Sequence, residues 1–185
     1  MRKVFLDVGA FDGSSVRFFR NNYSGADQFE IFCFESLPVN IELLKEVDNI
    51  SIVPFAAWSS AGEIDMFLGK TKSGSMYSDK TTGRVDPNNS IKVPSIDFAD
   101  FVEDNFNKED EIWLKLNVEG AEYEIIPHLK ERGLLDWFDR TFVRWHSGKI
   151  PSLQENDLEI RDMVPNNEGL WRKKQMLPFV KEVPE

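Results

Sequence analysis

The stretch Phe5-Leu6-Asp7-Val8-Gly9-Ala10-Phe11-Asp12-Gly13-Ser14-Ser15 decides the fold. Residues 4–8 form an apolar run that predicts a buried strand; Gly9 predicts a tight turn, and Ser14 caps a helix reaching about residue 22. A strand that meets a glycine turn and then a helix is the opening unit of a sheet with crossover helices. In such a sheet a crevice opens at the carboxyl edge, where the strand order reverses. Gly9 allows close approach of a ligand to the backbone, while Gly13 and the helix start offer free amides to an anionic group. Asp7 is the odd member of the strand. A carboxylate there needs a partner, which a ligand ammonium group or a ring of backbone amides would supply.

Outward from this unit, residues 29–34 predict a second strand, apolar except for Glu30 and holding the single cysteine, Cys33, as buried filler. Pro38 suits the first turn of a helix whose Ile41, Leu44 and Val47 recur at helical spacing, and residues 50–55 predict a third strand. Residues 64–68 read as an extra strand after a turn at Gly62, residues 91–94 as extended chain, and Asp97 as a helix cap. Residues 111–118 predict the next strand, followed by a helix to about residue 132 with a kink or restart expected at Pro127, and then a strand over residues 141–145. Further on, residues 158–163 read as helical and 177–180 as extended. The alternation predicts an α/β fold, a mostly parallel sheet with helices on both faces, in one domain over residues 1–185. The polar segment 70–90 is too long for a plain connector, so it is either disordered or a lid or acceptor loop, with Ser75, Met76 and Tyr77 placed to close over a ligand.

With 22 Lys and Arg against 32 Asp and Glu, the net charge of −10 disfavours nucleic acid and anionic lipid as partners. The run Arg172-Lys173-Lys174 reads as solvated surface. No apolar stretch approaches the roughly 18 residues of a membrane span, and Asp7 interrupts what a signal peptide would need, so the expected location is cytoplasmic. One cysteine makes neither an intramolecular disulfide nor a multi-cysteine metal site, and no metal ligand set is read from the chain.

Glu35 follows the second strand directly, where a carboxylate accepts hydrogen bonds from both hydroxyls of a ribose. Gly9 and Gly13 lack the third glycine of a dinucleotide fingerprint, which counts against a pyrophosphate cradle. Asp7, Gly9, Gly13 and Glu35 together point to a nucleoside cofactor. Lys115 and Asn117 share one face of a strand that should be apolar, and they break the pattern where the crevice should lie. Glu119 and Glu122 serve either the site or the amino end of the following helix. Of the two histidines, His128 reads as structural, whereas His146 emerges at the same edge as Gly9 and Asn117, as acid, base, acceptor contact or cap.

Three segments, Asp7-Val8-Gly9-Ala10, Glu35-Ser36-Leu37-Pro38-Val39-Asn40 and Lys115-Leu116-Asn117-Val118-Glu119-Gly120-Ala121-Glu122, follow one another over roughly residues 3–146. In order and spacing they resemble the FkbM family of S-adenosylmethionine-dependent methyltransferases, the last segment being the distinctive one. The resemblance implies a Rossmann-like class I methyltransferase fold, S-adenosylmethionine as cofactor, and O-methylation of a sugar or other small-molecule hydroxyl. It implies a cofactor set of Asp7, Gly9, Ala10, Phe11, Gly13, Ser14, Glu35, Ser36, Ala57, Asn117 and Glu119. The catalytic candidates are Lys115, Asn117 and His146. Asn117 departs from the family pattern, which has an aspartate there and with it a charged base or ligand that a carboxamide does not provide. The roughly forty residues after the fifth strand leave little room for a closing strand pair, which predicts a shortened far edge of the sheet. Two alternatives stay open: a cofactor-binding protein without turnover, and a nicotinamide-dependent oxidoreductase.

Overall fold

The computed structural model describes residues 1–69 and 74–164. The strand expected over residues 177–180 and the basic run at 172–174 lie outside the described residues. The chain runs β1 (Lys3–Val8), α1 (Ser14–Asn22), β2 (Glu30–Phe34), α2 (Pro38–Leu44), β3 (Ser51–Val53), β4 (Ala56–Trp58), β5 (Gly62–Leu68), β6 (Gly74–Ser75), β7 (Ser90–Asp97), α3 (Phe98–Asn105), β8 (Glu111–Leu116), α4 (Glu122–Glu131), β9 (Phe138–Val143) and α5 (Asp157–Arg161).

The main sheet has five strands in the order β3-β2-β1-β8-β9, each neighbouring pair parallel. From β1 the chain first moves outward to β2 and β3, then returns to the other side of β1 for β8 and β9. The order therefore reverses between β1 and β8, and the crevice of an open α/β sheet belongs at their carboxyl ends. The two-residue period of the strands sorts the core into two layers. Val4, Leu6 and Val8 of β1 and Ile112, Leu114 and Leu116 of β8 pack with Phe98 and Val102 of α3 and Ile125 and Leu129 of α4. Phe5 and Trp113 face the other way, onto Val16 and Phe19 of α1 and Leu44 of α2, with Cys33 among them. Helices thus cover both faces, and the fold is the Rossmann-like, mostly parallel α/β sheet expected. Trp137 and Phe138 complete the first layer. Among the described residues no strand follows β9, and no helix is long and apolar enough to cross a membrane.

Four local expectations change. The strand predicted over residues 50–55 ends at Val53, and the chain turns at Pro54, with the Phe55 amide bonded to the Val53 carbonyl at 2.9 Å. Beyond the turn, β4 joins a second sheet of order β4-β7-β5-β6, which residues 64–68 and 91–94 only hinted at. β7 runs through Pro94; this is tolerated because β4 pairs with β7 only from Ser95 onward, so the missing donor faces no partner strand. Of the kink or restart expected at Pro127, the restart does not occur: α4 is continuous from Glu122 to Glu131, with Ile125, Ile126 and Leu129 buried on either side of the proline. Finally, residues 74–90 are docked rather than loose. The Thr81 amide donates to the Lys149 carbonyl at 2.7 Å, the Ser152 amide to Asp79 Oδ2 at 2.8 Å, and the Asp86 amide to the Leu68 carbonyl at 3.0 Å.

Candidate functional site

The carboxyl ends of β1, β2, β8 and β9 converge on a pocket of about 480 Å³, within the usual range for small-molecule sites. The second sheet closes one side of it through Ala56, Ala57, Met66 and Gly74, with Met76 just beyond β6.

The floor is the turn after β1. Gly9 has φ +76°, and a Cβ there would stand 2.2 Å from the Asn117 carbonyl oxygen, so the β1 and β8 turns touch backbone to backbone. Phe11 follows at φ 54°, a conformation that costs a non-glycine residue on the order of 1 kcal/mol. Glu35 holds it there: Oε2 accepts from the Phe11 amide at 3.0 Å, while Oε1 accepts from the amides of Ser36 and Leu37, both at 2.9 Å. Burial nevertheless outweighs these donors and the Asn40 amide, raising the Glu35 carboxyl above its ordinary range. Glu35 therefore fastens the end of β2 to the β1 turn and presents a partly desolvated carboxylate to the pocket.

Asp7 and Lys115 stand opposite each other in the β1–β8 register and form a buried ion pair, Nζ to Oδ1 2.6 Å, with side chains 0% and 3% exposed. Ser15 of α1 donates its hydroxyl to the other Asp7 oxygen, and Lys115 also donates to the Gly9 carbonyl at 2.8 Å. The partner expected from a ligand is thus supplied by the protein. Lys115 lines the pocket and Asp7 does not. Gly13 is also set back: it is the N-cap of α1, at φ +73°, and a Cβ there would meet Val47 Cγ2 at 2.7 Å, so its smallness serves packing against the α2 region. Ser14 is then the first helical residue rather than the cap, and its amide donates to Asp12 Oδ1 at 3.0 Å.

On the β8 side, Asn117 lines the pocket with a buried Oδ1 that has no hydrogen-bond partner among the described residues. Such an atom is costly unless a ligand or water satisfies it. Glu119 adopts φ 54° and lies at the centre of a charged cluster. Its Oε2 is 2.8 Å from Nζ of the buried Lys80 and 3.5 Å from Nε2 of His146, and its carbonyl accepts from the Ser75 hydroxyl at 2.8 Å. Burial alone would raise the Glu119 carboxyl; His146 and Lys80 override it and hold it well below the usual range.

His146 departs furthest from expectation. It is fully buried, lies outside the pocket lining, and is held between Glu122 (Nδ1 to Oε1, 2.9 Å) and Glu119. Burial pulls its pKa down, but the two carboxylates win and raise it. Its nearest link to the pocket lining is Glu119, 3.5 Å from Nε2. His128 is structural as expected, bonded through Nε2 to the α3 cap Asp97 at 2.9 Å.

Of the remaining expected residues, Ala10, Phe11, Ser14, Ser36 and Ala57 line the pocket. Sequence reasoning missed Phe18, Phe55, Met66 and Arg144. Arg144 had a signal, being the single charge in the run Phe142-Val143-Arg144-Trp145 at the end of β9; Met66 had none, since its place depends on the second sheet. Among the described residues, no group of three or more His, Cys, Asp and Glu side chains is disposed to hold a metal ion.

Comparison with known proteins yields a family match: the methyltransferase FkbM domain model covers residues 7–169, most of the chain. No curated protein and no solved structure matches it.

Proposed function

The chain belongs to the FkbM methyltransferase family, and on that footing we propose that it transfers a methyl group from S-adenosylmethionine to a hydroxyl of a small molecule, in the cytoplasm. The observation that carries this reading is one pocket bounded by the Gly9 turn, the Glu35 carboxylate and the unpartnered Asn117 Oδ1. The residues present fit the cofactor. Gly9 leaves the backbone open to close approach, and Glu35 supplies acceptor oxygens for ribose hydroxyls at the end of β2. Phe11 and Phe55, each 37% exposed at the pocket, offer apolar faces to a purine ring.

The sulfonium of the cofactor provides the leaving group, so the protein has to align the acceptor, exclude water and handle one proton. When bound, the cofactor would supply the methyl carbon and a thioether leaving group that keeps the electron pair of the broken bond, and the hydroxyl proton of the acceptor would pass to solvent. Asn117 Oδ1 accepts the hydrogen bond that orients that hydroxyl. Glu119 is a weak base because Lys80 and His146 stabilise its ionised form. Residues 74–90 are the lid, latched by Lys80 on Glu119 and by Ser75 on the Glu119 carbonyl. A second reading, cofactor binding without turnover, is favoured by the carboxamide at Asn117, since no unpaired carboxylate then stands beside the acceptor.

The test is to incubate the protein with methyl-labelled S-adenosylmethionine and a panel of neutral and acidic hydroxyl compounds, and to quantify S-adenosylhomocysteine by mass spectrometry. Acceptor-dependent product supports methyl transfer. Cofactor binding with no product across the panel supports the second reading, and neither binding nor product overturns both.

A further inference from the structure

Arg144 is the first residue after β9 and lines the pocket. Half-buried, it forms no ion pair or side-chain hydrogen bond among the described residues. The nearby acids are already engaged: Glu119 by Lys80 and His146, and Glu122 by His146 and the Gly120 amide at 3.0 Å. Lys149, one turn further along, is likewise in no ion pair among the described residues. Arg144 and Glu119 line the pocket, and Lys80, Lys149 and Glu122 lie close enough to interact with one another there, three cations to two carboxylates before His146 is considered. Burial lowers the Lys149 pKa, and Glu119, Arg144, Lys80 and Glu122 all act on it, the two carboxylates opposing the two cations. In a chain of net charge −10 such a corner runs against the overall field.

Its position in the sheet says which part of a ligand it would meet. Glu35 ends β2, and β9 lies three strand spacings away, past β1 and β8, or roughly 14 Å. With the nucleoside end anchored at Glu35, the pocket residues Gly9 after β1, Asn117 after β8 and Arg144 after β9 follow in that order across the sheet. We propose that Arg144 is a specificity-determining residue that binds an anionic group, a carboxylate or phosphate, on the methyl acceptor. The substrate class is then a hydroxy acid or a phosphorylated alcohol rather than a neutral sugar. The planar guanidinium suits either anion through paired N–H donors. This inference rests on the cofactor assignment above.

The experiment titrates the S-adenosylhomocysteine-loaded protein with glycolate, with inorganic phosphate and with ethylene glycol as a neutral control, following chemical shifts by NMR. The expected result is saturable binding of both anions and none of ethylene glycol, weakened at least about tenfold by Arg144→Gln and to a smaller extent by Arg144→Lys, which keeps the charge but not the paired donors. A second arm compares S-adenosylhomocysteine with 5′-methylthioadenosine, which lacks the amino-acid carboxylate; Arg144→Gln should leave both affinities within about twofold. If Arg144→Gln weakens only S-adenosylhomocysteine, Arg144 holds the cofactor's own carboxylate and the proposal is overturned. Equal response to anions and ethylene glycol also overturns it, with the cofactor assignment intact. Failure of S-adenosylhomocysteine itself to bind removes that assignment and this inference together.

Discussion

Replacing Lys115 with methionine tests the structural centre of the site. The Lys115 ammonium is 2.6 Å from Asp7 Oδ1 and 2.8 Å from the Gly9 carbonyl, in a setting with side chains 3% and 0% exposed. Methionine has a similar length but no charge, so Asp7 would stay buried with only the Ser15 hydroxyl as partner. Removing one side of a buried pair costs about 3–5 kcal/mol, a large part of the roughly 5–15 kcal/mol that holds a domain together. At roughly 2–4 °C per kcal/mol for a chain of this size, Tm should fall by about 6–20 °C. The double variant Asp7→Leu/Lys115→Met removes both charges and should regain most of the loss, because the cost lies in the orphaned carboxylate rather than in the absent attraction. Thermal melting by circular dichroism at neutral pH measures all three proteins. A Lys115→Met Tm within about 2 °C of wild type, or a double variant no better than the single, would refute the reasoning.

Other outcomes follow from the same geometry. Gly9→Ala places a methyl group 2.2 Å from the Asn117 carbonyl oxygen at φ +76°; it should separate the β1 and β8 turns and weaken S-adenosylhomocysteine binding at least about tenfold while leaving the far-ultraviolet spectrum native. The Glu35 carboxyl is raised by burial, so its contribution to stability without ligand is present at low pH and lost as pH rises through its folded pKa. Ribose hydroxyls reverse this by favouring the ionised form. The gain in Tm with S-adenosylhomocysteine should accordingly be smaller near pH 5 than near pH 7.5, and a pH-independent gain would argue against a ribose on Glu35. Asn117→Asp puts a carboxylate at the acceptor and should raise turnover by roughly a hundredfold if a base is what the chain lacks, as single-turnover kinetics would report. Lys80→Met should free the lid, seen as faster proteolysis within residues 74–90, whereas unchanged cleavage would mean that Ser75 and Thr81 hold it alone.

Local signals made much of the site legible in the sequence. The glycine turn, the position of Glu35 directly after its strand and the polar interruption at Lys115 and Asn117 all depend on patterns within a few residues, and each lies at the pocket's edge. What could not be read depends on pairing between distant segments. Asp7 and Lys115 each stand next to last in their strands, so they are register partners, but nothing local to either says that they neutralise each other. His146 looked available because it follows a strand at the right edge; in the fold it is buried between Glu122 on α4 and Glu119. The second sheet was obscure because β4 is only three residues long and its partner β7 contains a proline.

The central claim is that Glu35 and the Gly9 turn form a nucleoside cofactor site. Calorimetric titration of the wild-type protein and of Glu35→Ala with S-adenosylhomocysteine at neutral pH tests it most directly. The account predicts one saturable site in the wild type and at least about tenfold weaker binding in Glu35→Ala, with its circular dichroism spectrum unchanged. No heat of binding at millimolar ligand, or equal affinity in the two proteins, would contradict it.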